Sequence, residues 1–327
     1  MYDLIGDIHG HASELVNLLA ALGYSKHKGV YKHPERQAIF LGDFIDRGPQ
    51  IRETLEIVRP MIDSGCALSV MGNHELNALA YHTPDPDKPG EYLRKHSDKN
   101  TNQHSQTLKQ VSAADFQSYL SWFRTLPLWL DLNGLRVVHA CWDESMADQT
   151  GQADRICQTR RTGQISGAIT PISPITPIMD EFLLSACRKN QPLFGPVETI
   201  LKGKEAKLPA GLGFHDKDGR FRTSTRVRWY ADPHGQTYRT YSMEAEPIDC
   251  DLPLEESVLE AASPYPATAK PVFIGHYWLT GEKPALLAPN VACLDWSVAK
   301  GGFLCAYRWN GEQTLDPAQF AHVPAML

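Results

Sequence analysis

Side chains that can bind metal ions occur at the ends of several hydrophobic stretches of this sequence. They lie in Gly6-Asp7-Ile8-His9-Gly10, in Gly42-Asp43-Phe44-Ile45-Asp46-Arg47-Gly48, in Gly72-Asn73-His74-Glu75, and at the isolated residues His139 and His276. Each follows a run of strand character, and an open α/β sheet places its ligand-binding groups at the carboxyl ends of its strands. Oxygen donors from Asp and Asn and nitrogen donors from His, without thiolate, suit two neighbouring divalent transition ions. Such ion pairs hydrolyse phosphate esters, so this is the chemistry that the pattern indicates.

The residue types and their spacing indicate how the ions would be shared. Asp7 and His9 are two residues apart, so in an extended segment both side chains lie on one face and can bind one ion. The carboxylate of Asp43 has two oxygens and can bridge two ions, whereas Asn73 offers a neutral amide oxygen. A single Asp-x-His or Gly-Asp pair is common in proteins, but the joint occurrence of these motifs favours a metal site.

The first part of the chain alternates strand and helix signals. Strands are predicted at residues 2–5, 37–41 and 66–71, and helices at residues 12–22, 49–62 and 75–80. Gly23 is a plausible left-handed end for the first helix. Three repeats of strand followed by helix favour a layered α/β fold.

The middle of the chain is less regular. Residues 82–106 are polar and contain three prolines, which predicts a long surface loop or a small lid. A helix capped by Ser112 is predicted at 112–124. Asn133-Gly134 between two hydrophobic runs predicts a hairpin of residues 128–132 and 135–140, with His139 on its second strand.

Residues 143–269 are predicted to form an elaborated insertion near the mouth of the expected site, partly helical, rather than an independent domain. It includes a Pro/Thr/Ile-rich patch at 170–179. Residues 223–230 and 236–242 are expected to form a β-pair. Regular strands are predicted again at 271–274, 291–296 and 303–309.

The bulk composition is that of a globular enzyme. Hydrophobic residues make up 42% of the 327 residues, and the formal net charge is −6, so a nucleic-acid backbone is not an expected partner. No apolar run approaches the roughly 18 residues that span a bilayer, and the first residues lack signal-peptide features. Seven scattered cysteines without a Cys-x-x-Cys pair indicate free thiols. We therefore expect a cytoplasmic protein without a membrane partner.

The motifs resemble those of the calcineurin-like metallophosphoesterase superfamily, and Asp46-Arg47-Gly48 is similar to the bacterial phosphoprotein-phosphatase and dinucleoside-tetraphosphatase branch. The resemblance covers residues 1–142 and 270–310 well and is thin across 143–269. It implies an α/β fold, a four-layer α-β-β-α sandwich in which residues 1–327 form one domain and 143–269 an insertion or cap. One departure is Tyr277-Trp278, which is more aromatic than the family pattern and weakens inference of the substrate from close phosphatase relatives.

The resemblance also implies a ligand set for two divalent ions. Asp7, His9 and Asp43 would hold the first ion. The second would be held by Asp43, Asn73, His139 and His276. Manganese is the ion that the resemblance implies, although mixed nitrogen and oxygen sites also accept iron, zinc, cobalt or nickel.

Arginines are expected to bind the phosphate of the substrate. Arg47 can place two N–H groups on phosphate oxygens, and Asn73 would face the same phosphate. A second arginine is expected between the two late histidines. Arg226 and Arg228 are both candidates, with Arg226 preferred.

His74 and Asp46 are the expected acid–base pair. His74, next to the ligand Asn73, would protonate the leaving group, and Asp46 would orient its imidazole and raise its pKa. These roles, with that of Arg47, predict a two-metal phosphatase that uses a metal-bridging hydroxide on phosphate monoesters. The substrate would be a protein phosphoserine, phosphothreonine or phosphotyrosine, or a small phosphoester.

Two alternatives remain at this point. A symmetrical bis(5'-nucleosyl)-tetraphosphate hydrolase would use the same residues and would need aromatic side chains to stack on bases, with Trp142, Trp229, Tyr230 and Trp278 as candidates. A phosphate-binding scaffold without activity is the second, although such proteins usually lose a ligand and none is missing here. Nucleases and cyclic phosphodiesterases are disfavoured by Asp46-Arg47-Gly48 and by the lack of a basic stripe.

Overall fold

The computed structural model describes residues 1–150, 178, 180–215, 219–244 and 247–326. The strands are β1 (Tyr2–Ile5), β2 (Ser25–His27), β3 (Val30–Lys32), β4 (Gln37–Phe40), β5 (Ala67–Ser69), β6 (Trp129–Leu132), β7 (Leu135–Val138), β8 (Glu205–Lys207), β9 (Phe214–His215), β10 (Phe221–Arg222), β11 (Ser224–Arg226), β12 (Val272–Ile274), β13 (Val291–Cys293), β14 (Asp295–Trp296), β15 (Phe303–Trp309) and β16 (Phe320–Pro324). The helices are α1 (Ala12–Ala21), α2 (Ile51–Asp63), α3 (Asn73–His82), α4 (Asp98–Gln110), α5 (Ala113–Phe123), α6 (Glu144–Gln149), α7 (Asp180–Cys187), α8 (Phe194–Lys202), α9 (Tyr238–Tyr241) and α10 (Glu256–Ala261).

Two sheets form the centre of the fold. In the first, β14, β15, β1, β4 and β5 lie side by side, and β16 pairs with β15. Strands β1, β4 and β5 are parallel, whereas β15 is antiparallel to β1. The second sheet has the order β13-β12-β7-β6, with β12 parallel to both β13 and β7. The parallel strands bring their carboxyl ends to one edge of each sheet.

The two sheets pack face to face, and helices cover their outer faces. Alternate residues of β1 and β4, such as Leu4 and Ile39, share a buried cluster with Val137 and Phe273 of the second sheet. Their neighbours along the strands point the other way, into a second cluster. That cluster contains apolar residues of α1 and α2 on one side and of α6 and α8 on the other. The order helix, sheet, sheet, helix confirms the expected α-β-β-α sandwich.

Several local predictions are confirmed because their signals are local. Ser112 caps α5, its hydroxyl accepting the N–H of Asp115 at 3.2 Å. Gly23 follows α1 with φ +89°, a left-handed conformation that costs glycine little. β6 and β7 form the antiparallel hairpin predicted around Asn133-Gly134, and His139 lies one residue beyond β7. Among the described residues, no helix is both long and apolar enough to cross a membrane.

The loop or lid predicted at 82–106 is confirmed for residues 83–97 and wrong beyond them, because α4 begins at Asp98 and continues to Gln110. Ser97 caps this helix, its hydroxyl accepting the N–H of Asn100. The helix is polar on its inner side as well, since the buried residues His104 and Thr107 bind a carboxylate rather than an apolar core. A hydrophobic periodicity is therefore missing, and the sequence looks like a loop.

The β-pair predicted at 223–230 and 236–242 is also wrong. β11 pairs with β8, and residues Tyr238–Tyr241 form the short helix α9, which begins at a Thr237–Thr240 capping box. A single bridge between Val227 and Ser242 links the two predicted segments. The late strand predicted at 291–296 is two strands, β13 and β14, which belong to different sheets. The patch predicted at 170–179 lies outside the described residues, apart from Ile178.

The described part of the insertion contains a small core of its own. Buried apolar residues of β8, α9 and the segments that follow them pack together, namely Ala206, Leu208, Val227, Tyr238, Tyr241, Ile248, Cys250 and Leu254. The helices α7 and α8 instead contribute to the larger cluster under the second sheet. The insertion thereby supplies a wall that stands beside the carboxyl ends of the strands.

Candidate metal centre and active site

The predicted metal ligands converge on one point between the two sheets. Asp7 and His9 follow β1, Asp43 follows β4, and Asn73 opens the helix that follows β5. From the second sheet, His139 follows β7 and His276 follows β12. All but His276 are buried, and His276 is partly exposed. The carboxyl edges of both sheets therefore supply the site, as the strand-end positions in the sequence predicted.

Asp43 lies at the centre of this group. Its Oδ2 atom is 3.5 Å from His9 Nε2 and 3.4 Å from His139 Nε2. The side chains form two groups of potential ligands that share this carboxylate, His9-Asp43-His74 and Asp43-His139-His276. Because Asp43 belongs to both groups, its position suits a carboxylate that bridges two ions.

Backbone carbonyls orient two of the imidazoles. His9 Nδ1 lies 2.9 Å from the carbonyl oxygen of Ile45, and His139 Nδ1 lies 2.7 Å from that of Leu41. When Nδ1 donates to a carbonyl, the Nε2 lone pair is free and points at the centre, which is the usual arrangement for a metal-binding histidine. His276 Nδ1 lies 2.7 Å from Asn73 Oδ1, which brings the third imidazole to the amide.

Two buried atoms of the group have no hydrogen-bond partner among the described residues. They are His9 Nε2 and Asp7 Oδ1. A buried polar atom without a partner costs free energy, so both atoms need a partner that the described part of the protein does not supply. Divalent ions bound by oxygen and imidazole nitrogen would satisfy them, and the residues present therefore fit the two-metal centre that the motifs imply.

The carboxylate of Asp7 is held in place by a hydrogen bond to its second oxygen and by its close contact with Gly275. Asp7 Oδ2 accepts the backbone N–H of His276 at 3.0 Å, which joins β1 of the first sheet to β12 of the second. A Cβ atom on Gly275 would lie 2.0 Å from Asp7 Oδ1. Only glycine leaves room for the carboxylate at this place.

Burial and mutual charge shift the pKa values of the ligands. Burial, followed by the charge of Asp295, raises the pKa of Asp7 well above its ordinary value. Burial and the neighbouring His74 lower the pKa of His9 to about 3. Burial acts against a charged His139, but Asp43 and Asp7 raise its pKa to about 10. So many carboxylates and imidazoles packed out of water are characteristic of a functional site.

Glu75 holds the two ligand loops together, a role that the sequence did not reveal. Its Oε2 atom accepts the backbone N–H groups of Asp43 and Gly72, and its Oε1 atom accepts that of Phe44. Burial and the charge of Asp43 raise the pKa of Glu75 to about 7. The carboxylate thereby joins the loop after β4 to the first turn of α3. The signal was the capping position of Glu75, three residues after Gly72.

The backbone of the site is strained. Six of its non-glycine residues have a positive φ of 47–74°, namely His9, Asp43, Asp46, Arg47, His276 and Trp278. Such conformations cost roughly 1–2 kcal/mol per residue and persist where surrounding contacts determine them. Their concentration here shows that the loops are shaped by the site rather than by local preference.

His74 is bound to Asp46, as predicted. His74 Nδ1 lies 2.6 Å from Asp46 Oδ2, while its Nε2 atom faces the centre, 4.0 Å from Asp43 Oδ2. The other oxygen of Asp46 accepts from His104 at 2.7 Å and from the hydroxyl of Thr107 at 2.6 Å. Burial acts against the charge of Asp46, but hydrogen bonds from His104 and His74 hold its pKa well below the ordinary value. The sequence predicts neither His104 nor Thr107, because α4 lacks the hydrophobic periodicity of a helix.

Arg47 lies beside an aromatic ring at the edge of the site. Its guanidinium carbon is 5.1 Å from the centre of the Trp278 ring, and its buried Nε has no hydrogen-bond partner among the described residues. The same Trp278 ring stacks on His9, with centroids 5.5 Å apart. The aromatic departure at Tyr277-Trp278 thus brings Trp278 to the site, where it contacts a predicted ligand and the predicted phosphate-binding arginine.

The two later arginines are placed differently. Arg226 lines the cavity above the centre and donates its Nε–H to the carbonyl of Lys202. Arg228 is exposed and donates its Nε–H to the carbonyl of Ser242 at 3.1 Å. Of the predicted base-stacking residues, Trp278 lines the cavity, whereas Trp142 and Trp229 are buried in the core. Tyr230 is partly buried and packs against that core.

A cavity of about 1790 Å³ opens over the predicted centre. Asp43, Asn73, His74 and His276 lie in its wall together with residues of α4 and of the insertion. Among the described residues, nine lysines and arginines but only five aspartates and glutamates line it. This surplus of cations makes the cavity a suitable place for an anionic ligand.

Comparison with known proteins identifies the protein family to which the chain belongs. The sequence profile of the calcineurin-like phosphoesterases matches residues 2–161. The asymmetrical bis(5'-nucleosyl)-tetraphosphatase PrpE of Bacillus velezensis is 31% identical over 178 residues, which are 52% of this chain and 67% of that protein. The chain belongs to the calcineurin-like phosphoesterase family, as the resemblance of its motifs implied. The predicted enzyme class, a hydrolase of phosphoester bonds, is that of the family.

Further proteins are similar to parts of this chain or to its structure. The symmetrical bis(5'-nucleosyl)-tetraphosphatase of Psychromonas ingrahamii is 35% identical over 126 residues, 38% of each chain. With other proteins named PrpE, the match spans as little as 30% of their length. A solved structure of the cold-active protein-tyrosine phosphatase of a psychrophilic Shewanella is 16% identical, with a TM-score of 0.45, over 99% of this chain and 80% of that one.

Proposed function

We propose that this chain is a two-metal phosphohydrolase with its active site around Asp43. The observation that carries the proposal is the position of Asp43 Oδ2, within 3.5 Å of imidazole Nε2 atoms from both sheets. Asp7, His9 and Asp43 would hold one ion, and Asp43, Asn73, His139 and His276 the other. We propose manganese as the ion. When bound, two such ions would lower the pKa of a water from about 15.7 towards 7.

The surrounding residues have separate tasks in this mechanism. Arg47, stacked against Trp278, would donate N–H groups to the oxygens of the phosphate under attack. His74 would deliver a proton from Nε2 to the leaving oxygen, because its Nδ1 is already bound to Asp46. Asp46 would hold the imidazole in this orientation and stabilise its protonated form. Arg226, on the cavity wall, is the better candidate for a second contact with phosphate.

Of the two substrate classes that the sequence left open, we favour dinucleoside tetraphosphates over phosphoproteins and simple monoesters. The relatives named above carry that activity in their names. A chain of four phosphates bears several negative charges, and the cavity beside the centre is lined by a surplus of lysine and arginine. Trp278 offers an apolar ring in the same wall.

A panel of substrates tests the proposal. The Mn²⁺-loaded protein is assayed with p-nitrophenyl phosphate, a phosphoserine peptide and diadenosine tetraphosphate, with Asp43→Asn as the inactive control. We expect the tetraphosphate to have the highest kcat/KM and every activity to be lost in the control. A higher kcat/KM for the phosphopeptide would instead support a phosphoprotein phosphatase. If the metal-loaded protein hydrolysed none of the substrates, a phosphate-binding scaffold would be supported.

A further inference from the structure

Arg94 lies beside the predicted active site, and its side-chain hydrogen-bond partners among the described residues are neutral. It belongs to the segment between α3 and α4, and its backbone N–H donates to the carbonyl of Ala80. Its Nη1 donates to Asn77 Oδ1 at 2.7 Å and its Nη2 to Gln103 Oε1 at 2.8 Å. The side chain is partly buried and lines the large cavity. Two helices thus hold this guanidinium in a fixed position.

The partners of Arg94 are neutral, unlike those of comparable arginines in this chain. Arg36 is paired with Asp3, Arg136 with Asp131, and Arg188 with Asp85. No carboxylate lies within 4.0 Å of the Arg94 guanidinium in the described ranges of the chain. Amide oxygens orient a guanidinium without neutralising its charge, and the carboxylates of Asp46 and Glu198 act on it only from beyond 4.0 Å, so the group retains the capacity to bind an anion. Burial also lowers the pKa of Arg94, consistent with a cation that is partly removed from water.

Arg94 lies on the side of the active site where the leaving group of the substrate is expected. Asn77, which it contacts, is one helical turn beyond Asn73 and His74 on α3, and all three line the same cavity. Gln103, its other partner, lies on α4 directly before His104, the residue bound to Asp46. Arg94 is therefore on the side of His74 and Asp46, where the leaving group is protonated, whereas Arg47 is held against Trp278.

We propose that Arg94 binds a phosphate of the leaving group and thereby selects substrates whose leaving group is itself phosphorylated. This inference rests on the proposed function of His74. In the hydrolysis, a water oxygen bonds to phosphorus and the bridging P–O bond breaks. The electron pair stays on the departing oxygen, and His74 supplies its proton. For a phosphoanhydride that oxygen belongs to a second phosphate, which the guanidinium of Arg94 would neutralise.

Arg94→Gln tests the proposal through a ratio of activities. The variant keeps hydrogen-bonding groups but removes the charge, and Arg59→Gln, at a partly exposed position of α2 outside the cavity wall, is the matched control. We expect kcat/KM for diadenosine tetraphosphate to fall at least about tenfold more than kcat/KM for p-nitrophenyl phosphate, whose leaving group has no phosphate. Equal losses on both substrates, or none, would overturn the proposal. So would a wild-type protein that hydrolyses only p-nitrophenyl phosphate, although the two-metal function would then stand.

Binding of a product analogue keeps the test independent of turnover. The dissociation constants of ADP and of adenosine are measured by calorimetry for the metal-loaded wild-type protein and both variants. We expect Arg94→Gln to weaken ADP binding at least about tenfold and to leave adenosine binding as it is in Arg59→Gln. Unchanged ADP binding in Arg94→Gln would overturn the subsite even if the protein hydrolysed none of the substrates.

Discussion

His74 Nδ1 lies 2.6 Å from Asp46 Oδ2, and the other oxygen of the same carboxylate is bound by two side chains of α4. The buried carboxylate of Asp46 therefore lies between His74, the proposed acid, and helix α4. Asp46 is thus fixed from both sides, and the imidazole of His74 has one orientation. The proposed role of His74 as general acid depends on this geometry.

Replacing Asp46 with asparagine should separate catalysis from metal binding. Asp46→Asn removes the charge that stabilises protonated His74 and changes which imidazole nitrogen carries the proton. We expect kcat for a phosphoserine peptide, whose alkoxide leaving group needs a proton, to fall about a hundredfold or more, which is the scale of general acid catalysis. Metal content, measured by mass spectrometry, should stay at the wild-type value because Asp46 is not a proposed ligand. A kcat within a few-fold of wild type would contradict the role of this pair.

His104 should act on the rate through Asp46 without touching the substrate. His104→Ala removes one charge-assisted hydrogen bond to Asp46 Oδ1, and we expect kcat to fall about tenfold with KM unchanged. His104→Asn can donate an N–H from nearly the same place as Nδ1 and should recover most of that loss. If the alanine and asparagine variants lose kcat equally, or if KM rises instead, His104 has only a structural role.

The pKa of Asp46 predicts a specific dependence of stability on pH. Because its folded pKa is depressed, this carboxylate stabilises the folded state fully above its unfolded pKa of about 3.9, and the contribution is lost as pH falls towards the folded pKa. Asp46→Asn has no such contribution. The difference in free energy of unfolding between the two proteins, about 2 kcal/mol at pH 5, should therefore shrink between pH 5 and pH 3.

Urea unfolding of chelator-treated protein at each pH measures this difference without a contribution from metal release. If the difference in free energy of unfolding stays constant down to pH 3, the pKa of Asp46 is not depressed in the folded protein.

Gly275 offers a test of the ligand geometry in which no ligand residue is replaced. Gly275→Ala would put a methyl group 2.0 Å from Asp7 Oδ1, so the carboxylate must move. We expect the variant to lose about one metal equivalent and at least about tenfold in kcat/KM, since the ligand set stays intact but misplaced. Gly195→Ala in α8 is the control, because a Cβ there meets no atom within 4 Å. Full metal content in Gly275→Ala would show that Asp7 does not need this space.

The sequence predicted which residues meet at the candidate site, because several of them carry a local signal. Asp7, Asp43 and Asn73 each follow a short apolar strand and a glycine, and parallel strands bring such positions to one edge. His139 and His276 were isolated in the sequence, and the family pattern rather than periodicity picked them out. The structure brings these residues together, while their roles as ligands remain predictions.

What the sequence did not predict depends on long-range contacts. The buried face of α4 is polar because it binds Asp46, so the hydrophobic pattern that announces a helix is absent there. The pairing of β11 with β8 joins segments 19 residues apart, and nothing local in residues 223–242 indicates it. Arg94 lies in the part of 82–106 that is a loop as predicted, but nothing in the sequence indicates its contacts with Asn77 and Gln103. Polar residues that serve a site are the ones that a search for hydrophobic periodicity overlooks.

The most direct test of the account is the metal content of the purified, manganese-loaded protein together with its turnover. We expect two equivalents per chain in the wild type, one in His276→Asn, and fewer than one in Asp43→Asn because Asp43 belongs to both ligand groups. Turnover of p-nitrophenyl phosphate and diadenosine tetraphosphate should follow the occupancy of both positions. A wild-type protein that turns over substrate fully with one equivalent or none, or an Asp43→Asn variant that keeps two, would contradict the binuclear centre.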